Sequence, residues 1–151
     1  MDLTETLMIA TEIEAASAGM VERCSGYQET TRVLHRELEY LLQLHHKEPG
    51  IFNLNPEINK CAVGFFKAST LIAQDAEKVR SLGLDNAERN LHRVRERLAH
   101  PEDFDNLEQV RQIDALLTSC EQNIRLARRH VHQLNAYIQY HARVLKTIRL
   151  D

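Results

Sequence analysis

The stretch LEQVRQIDALLTSCEQNIRLARRHVHQLNAYIQYHARVLKTI, Leu107 to Ile148, decides the fold. Apolar or small residues recur in it every seven positions, in two interleaved rows. One row is Val110, Leu117, Ile124, Val131, Ile138 and Leu145. The other, three residues on, is Ile113, Cys120, Ala127, Leu134, His141 and Ile148. Alternating steps of three and four place both rows on one side of an α-helix. With no Pro or Gly to interrupt it, the stretch predicts one helix of about 60 Å at 1.5 Å per residue. A stripe of that length requires partners of similar length.

The amino-terminal third supplies one. Ile13, Met20, Tyr27, Leu34 and Leu41 form a seven-residue row, with Ala10, Ser17, Cys24, Thr31, Leu38 and His45 as its companion. Asp2 and Glu5 have capping-box spacing, and the helix is expected to run to Lys47, before Pro49-Gly50. Ala15, Ala16, Ser17, Ala18 and Gly19 are small enough for a neighbouring helix to approach closely. Gly19 and Gly26 each weaken a helix, so a kink or break near Ser25-Gly26 is the alternative to one continuous helix. Residues 48–55 read as a loop, unusually apolar at Ile51, Phe52 and Leu54. These three either fold back onto the bundle or form an exposed docking knob.

Asn55-Pro56-Glu57 is a helix start, with Asn as N-cap and Pro at the first helical position. The stripe that follows is Ile58, Cys61, Phe65, Ala68, Ile72, Ala76, Val79 and Leu82. Gly83 reads as a stop, with Asp85 and Glu88 restarting a helix through a second capping box and Leu84, Ala87, Leu91, Val94 and Leu98 as its stripe. The phase resets between Leu82 and Leu84. His100-Pro101 ends this helix, and Asp105 with Glu108 caps the long last one. The expectation is all-α: an elongated antiparallel helical bundle of three long rods, the middle one broken near Gly83. An up-down-up-down four-helix bundle with a hairpin at Gly83 is the alternative. Exposed charge pairs that would favour the four-helix form are worth tenths of a kcal/mol each. Uncovering a long apolar seam costs more, at about 25 cal/mol per Å². Three rods are therefore preferred.

A chain of 151 residues fits a single helical-bundle domain, 1–151. Three Pro and five Gly leave little material for β-turns or for a backbone-lined active site. The start lacks the basic flank and apolar run of a signal peptide, and no apolar run is of membrane-spanning length. Three cysteines cannot all pair, and Cys24, Cys61 and Cys120 all fall on apolar stripes. Buried thiols in a reducing, cytoplasmic setting are expected.

Eight histidines invite a metal reading, but the spacings do not support it. Glu-x-x-His, His-Glu-x-x-His and paired cysteines are all missing, so no metal or other cofactor is expected. His141 falls on a core row and reads as a hydrogen-bonded seam residue, with Tyr27, Tyr137 or Tyr140 as its partner. Its protonation would loosen the seam at mildly acidic pH. No nucleophile elbow, phosphate-binding loop or dinucleotide fingerprint occurs, and no enzyme is expected.

Net charge is −3 but unevenly placed. Residues 1–22 carry five acidic side chains and no Lys or Arg, whereas residues 124–150 carry six basic ones and no acidic one. Those six, Arg125, Arg128, Arg129, Arg143, Lys146 and Arg149, decorate the outer sides of the last helix. With Ile51, Phe52 and Leu54 they are the candidate partner-binding residues. The expected function is a non-catalytic helical interaction protein: an adaptor, a small chaperone-like binder or an assembly component. Its partner is another protein met through a helical face, with a homo-oligomer as one form and no membrane contact. A nucleic-acid-associated bundle, using the basic face for phosphate contacts, is the alternative reading, disfavoured by the acidic chain and the scarcity of aromatics.

Overall fold

The computed structural model describes residues 3–100 and 105–148, and among these every regular element is helical. The elements are α1 (Thr4–Lys47), α2 (Ile51–Leu54), α3 (Pro56–Lys78), a π-helical turn (Val79–Leu84), α4 (Asp85–Arg97) and α5 (Leu107–Ile148). The fold is an all-α bundle of long helices packed against each other. The chain divides into two compact units, the first from residues 1–25 and 78–130, the second from residues 26–77 and 131–151.

The first unit packs the start of α1, the π turn with α4, and the first part of α5. Its core joins Leu3, Ala10 and Ile13 to Ala87, Leu91 and Val94, and to Ile113, Leu117, Cys120 and Ile124. Polar pairs give the helix directions. Ser119 Oγ donates to Glu14 Oε1 at 3.1 Å, and Asn123 Nδ2 donates to Ser17 Oγ at 3.1 Å, so α1 and α5 run the same way. Arg95 meets Glu121 and Arg128 meets Asp85, so α4 runs opposite to α5. The second unit repeats this order. Gln28 bonds Gln133 and His35 stacks on His141, which sets α1 parallel to α5 again. Its core joins Leu34, Leu38 and Leu41 to Phe52, Ala62, Phe65 and Phe66, and to Val144 and Ile148.

Parallel α1 and α5 exclude the four-helix alternative, in which they would be antiparallel. No hairpin forms at Gly83, and the expected stop and restart there are not realised. Backbone φ is positive at Gly50 alone among the glycines, so Gly83 does not adopt the left-handed geometry of a helix stop. Instead the helix widens into a π turn, which accommodates one extra residue without ending. The buried positions then step from Val79 by five to Leu84, and onward to Ala87, Leu91 and Val94. Leu82, expected in the core, is carried out to 74% exposure. What Gly83 does permit is close approach: a Cβ there would lie 3.1 Å from Met20 Sδ. Asp85 is already helical and bonds Arg128 rather than capping a new helix.

Other local expectations resolve similarly. Asn55 Oδ1 accepts from the Glu57 and Ile58 amides at 3.1 and 3.3 Å, the N-cap bonds read from the sequence. At the head of α5 the cap is Asn106, whose Oδ1 accepts from the Gln109 amide, in place of Asp105. Asp2 and Pro101 lie outside the described residues. Of the small residues 15–19 only Ser17 is buried, and Cys61 is exposed because α3 turns Ala62, Phe65, Phe66 and Ser69 inward.

No break in the helix occurs at Ser25-Gly26: α1 is continuous across it, as the helix reading to Lys47 expects. Gly19 and Gly26 are exposed, and a Cβ on either would meet nothing within 4 Å. Replacing each with Ala should therefore stabilise the protein by up to about 1 kcal/mol, through helix propensity alone. Urea titration of Gly19→Ala, Gly26→Ala and the double variant checks this. Unchanged or lower midpoints would mean that these glycines serve a packing role.

Candidate partner-binding surface

The basic residues of α5 fall into two groups. Two of those in the first unit, Arg125 and Arg128, are matched by carboxylates. Arg128 Nη2 lies 2.9 Å from Asp85 Oδ1 and 2.7 Å from Glu88 Oε2. Glu121 takes Arg95 on one oxygen and Arg125 on the other, each at 2.6 Å. The Arg128 hydrogen bond holds the Asp85 carboxyl below its usual range, and the Arg95 hydrogen bond does the same for Glu121. Arg125 and Arg128 are thus partly neutralised by their own chain. Arg129, Arg143 and Lys146 are exposed, and none meets a carboxylate among the described residues. Arg149 lies outside the described residues.

The apolar loop residues separate as well. Gly50, with φ 86°, turns the chain out of α1 and into the single turn α2, whose Asn53 and Leu54 amides bond the Gly50 carbonyl. That turn drives Phe52 into the second core, where its ring stacks on His45 at 5.4 Å, and Ile51 packs on the same core half-buried. Leu54 alone points out, at 72% exposure. The knob is thus mostly a plug.

An apolar depression lies elsewhere, between α3 and α5 of the second unit. It encloses ≈ 580 Å³ and is lined by Val63, Phe66, Lys67, Thr70, Leu71, Gln74 and Leu145. Leu71 stands 60% exposed on its wall, and Lys67 is its one charged lining residue. On α3 these positions follow in steps of three, one, three, one and three, so they form a second face beside the core face. The sequence reading missed this groove because it followed a single stripe on α3. Val63 and Leu71, apolar but off that stripe and eight residues apart, were the available signal. Leu145, placed on a core row by the heptad count, is 37% exposed, and Val144 is buried instead.

The chemistry-bearing groups of the second unit gather at His141. It is 1% exposed, its Nδ1 lies 3.0 Å from Ser69 Oγ, and its ring faces His35 and Phe65 at 5.6 and 4.9 Å. Tyr137 and Tyr140 pack on His35 at 4.7 and 5.5 Å, and Glu39 pairs with His35 at 3.3 Å. The hydroxyl partner of His141 is thus Ser69, where a tyrosine was expected. Burial, aided by the neighbouring His35, pushes the His141 pKa down to about 4. The described residues bring together no three His, Cys, Asp or Glu side chains suited to a metal, and none of their helices is long and apolar enough to cross a membrane.

No protein-family model matches this chain, and neither does any curated protein or solved structure.

Proposed function

We propose that the protein is a non-catalytic helical interaction module, an adaptor or assembly component that holds a partner protein on the second unit. The observation behind this reading is the α3/α5 groove. Exposed Leu71 and Leu145 and half-buried Val63 form an apolar lining on two long helices, where a bundle of this class would otherwise carry polar side chains. Rigid helices with an apolar furrow between them suit recognition of a third element laid along them. A cytoplasmic setting fits the free thiols. The nucleic-acid alternative is weakened by Arg125 and Arg128, whose charges are engaged by Glu121, Asp85 and Glu88.

Site-specific photo-crosslinking in the native cell tests the proposal. A photoreactive residue at Leu71 should give discrete protein adducts, while one at the exposed α5 position Gln122 should give none. Equal labelling at both sites, or none at either, would reject the reading.

A further inference from the structure

We infer that the α3/α5 groove receives an acidic amphipathic helix from a different protein, a partner class that rests on the interaction-module reading above. The groove lies between two helices of a three-helix unit, where a fourth helix would complete a bundle. Its α3 lining runs from Val63 to Gln74, about 17 Å of helix, which matches roughly three turns of a partner. Phe66, Val63 and Leu145 form an apolar floor for side chains at i, i+3, i+4 and i+7.

The charge around the groove selects the sign of the partner. Lys67 lines it. Lys60 is one turn before Val63 on α3, and Lys146 follows Leu145 on α5. None of the three meets a carboxylate among the described residues, unlike Arg95, Arg125 and Arg128 in the first unit. Asp75, one turn beyond Leu71, and Glu77, three residues beyond Gln74, are opposing charges on α3, and α5 has no acidic residue from Val131 to Ile148. The surface is therefore apolar with a net cationic rim.

The same rim argues against a second copy of this chain. In a two-fold contact the groove meets itself, and Lys67 and Lys146 would face like charges. The acidic segment the chain does own, the start of α1, already buries Leu3, Ala10 and Ile13 in the first unit. An anionic bilayer would match the charge, but it receives a convex apolar helix face rather than a furrow between helices.

The test uses the full-length protein and a designed peptide of about 15 residues, roughly four turns. The peptide carries Leu at i, i+3, i+4 and i+7 and Glu on the flanks, and a twin carries Lys in place of Glu. Fluorescence anisotropy should show micromolar binding of the Glu peptide, at least about tenfold tighter than that of the Lys twin. Leu71→Asp, at an exposed position, should weaken binding about tenfold or more while leaving the thermal melt unchanged. The double change Lys67→Glu with Lys146→Glu should reverse the preference between the two peptides. Three outcomes would overturn the proposal. One is no binding, or equal binding of both peptides. Another is Leu71-dependent association with phosphatidylserine vesicles in place of peptide. The third is a dimer in sedimentation that Leu71→Asp dissociates. Protein adducts from Leu71 crosslinking alongside peptide failure would leave the interaction-module reading standing and remove the acidic-helix partner alone.

Discussion

Acidification from about pH 7 to pH 4 should cost the second unit roughly 3 kcal/mol of stability through His141 alone, at about 1.4 kcal/mol for each tenfold change in proton affinity. His141 is buried against Ser69 and Phe65 of α3, with His35 of α1 stacked on it and Tyr140 of its own helix beside it. Its folded pKa of about 4 lies below the ordinary 6.5. The unfolded chain therefore takes up a proton first. The contribution is fully present above pH 6.5 and is lost as pH falls from there towards 4. The titratable groups around it are His35 and Glu39 of α1 and Tyr137 and Tyr140 of α5. The depressed carboxyls of Asp85 and Glu121 act lower, from below their ordinary 3.8 and 4.5, so they leave the upper part of the window clear. Urea midpoints measured between about pH 7 and 5 should slope downwards in the native chain and flatten in His141→Leu. An equal slope in both would remove His141 as the origin.

Leu38→Ala is expected to be the most damaging single truncation in the second unit, at about 2–5 kcal/mol. Leu38 is 0% exposed and shares a core with Phe65, Phe66 and Val144. Removing its isopropyl group leaves a void walled by three helices, none of which can collapse without moving the others. Against a total stability of roughly 5–15 kcal/mol, this could unfold the unit. Leu82→Ala is the matched control. Leu82 looks equivalent in the sequence but stands outside the core, so its truncation should change stability by about 0.5 kcal/mol or less. Comparable losses in the two variants would mean that Leu82 is buried and the π turn misplaced.

That pair of leucines shows what could and could not be read in advance. Burial at Ile113, Leu117, Cys120, Ile124, Ala127, Val131, Leu134 and His141 follows from spacing along an uninterrupted helix, although near its end the count slips by one and Val144 is buried in place of Leu145. The three-rod order followed from matching stripe lengths. The local conformation at Gly83 did not. A glycine after a stripe signals both a stop and a close approach, and only the position of Met20 separates them. Yet the five-residue step from Val79 to Leu84 was in the sequence, and it is the mark of one extra residue in a helical turn. The site was less legible than the fold. Spacing places Arg128 among six outward cations but does not show that α4 brings Asp85 and Glu88 to it, and it leaves Phe52 between folding back and standing out, where Gly50 turns it inward. The groove needed the placement of α5 against α3, which no local pattern carries.

The three cysteines have a use that their role as packing atoms hides. Cys61 sits at the surface, while Cys24 and Cys120 are sealed in. Burial pushes both sealed thiols up, outweighing the influence of Arg23 on Cys24 and of the Ser17 hydrogen bond on Cys120. Reaction needs the thiolate and access to it, and the sealed pair has neither until the structure opens. A thiol reagent should therefore consume one sulfur per chain at once and the other two on the timescale of breathing. Both slow sulfurs belong to the first unit and the fast one to the second. The unmodified chain thus carries its own clock for the opening of one half, readable with a colorimetric reagent and no engineered label.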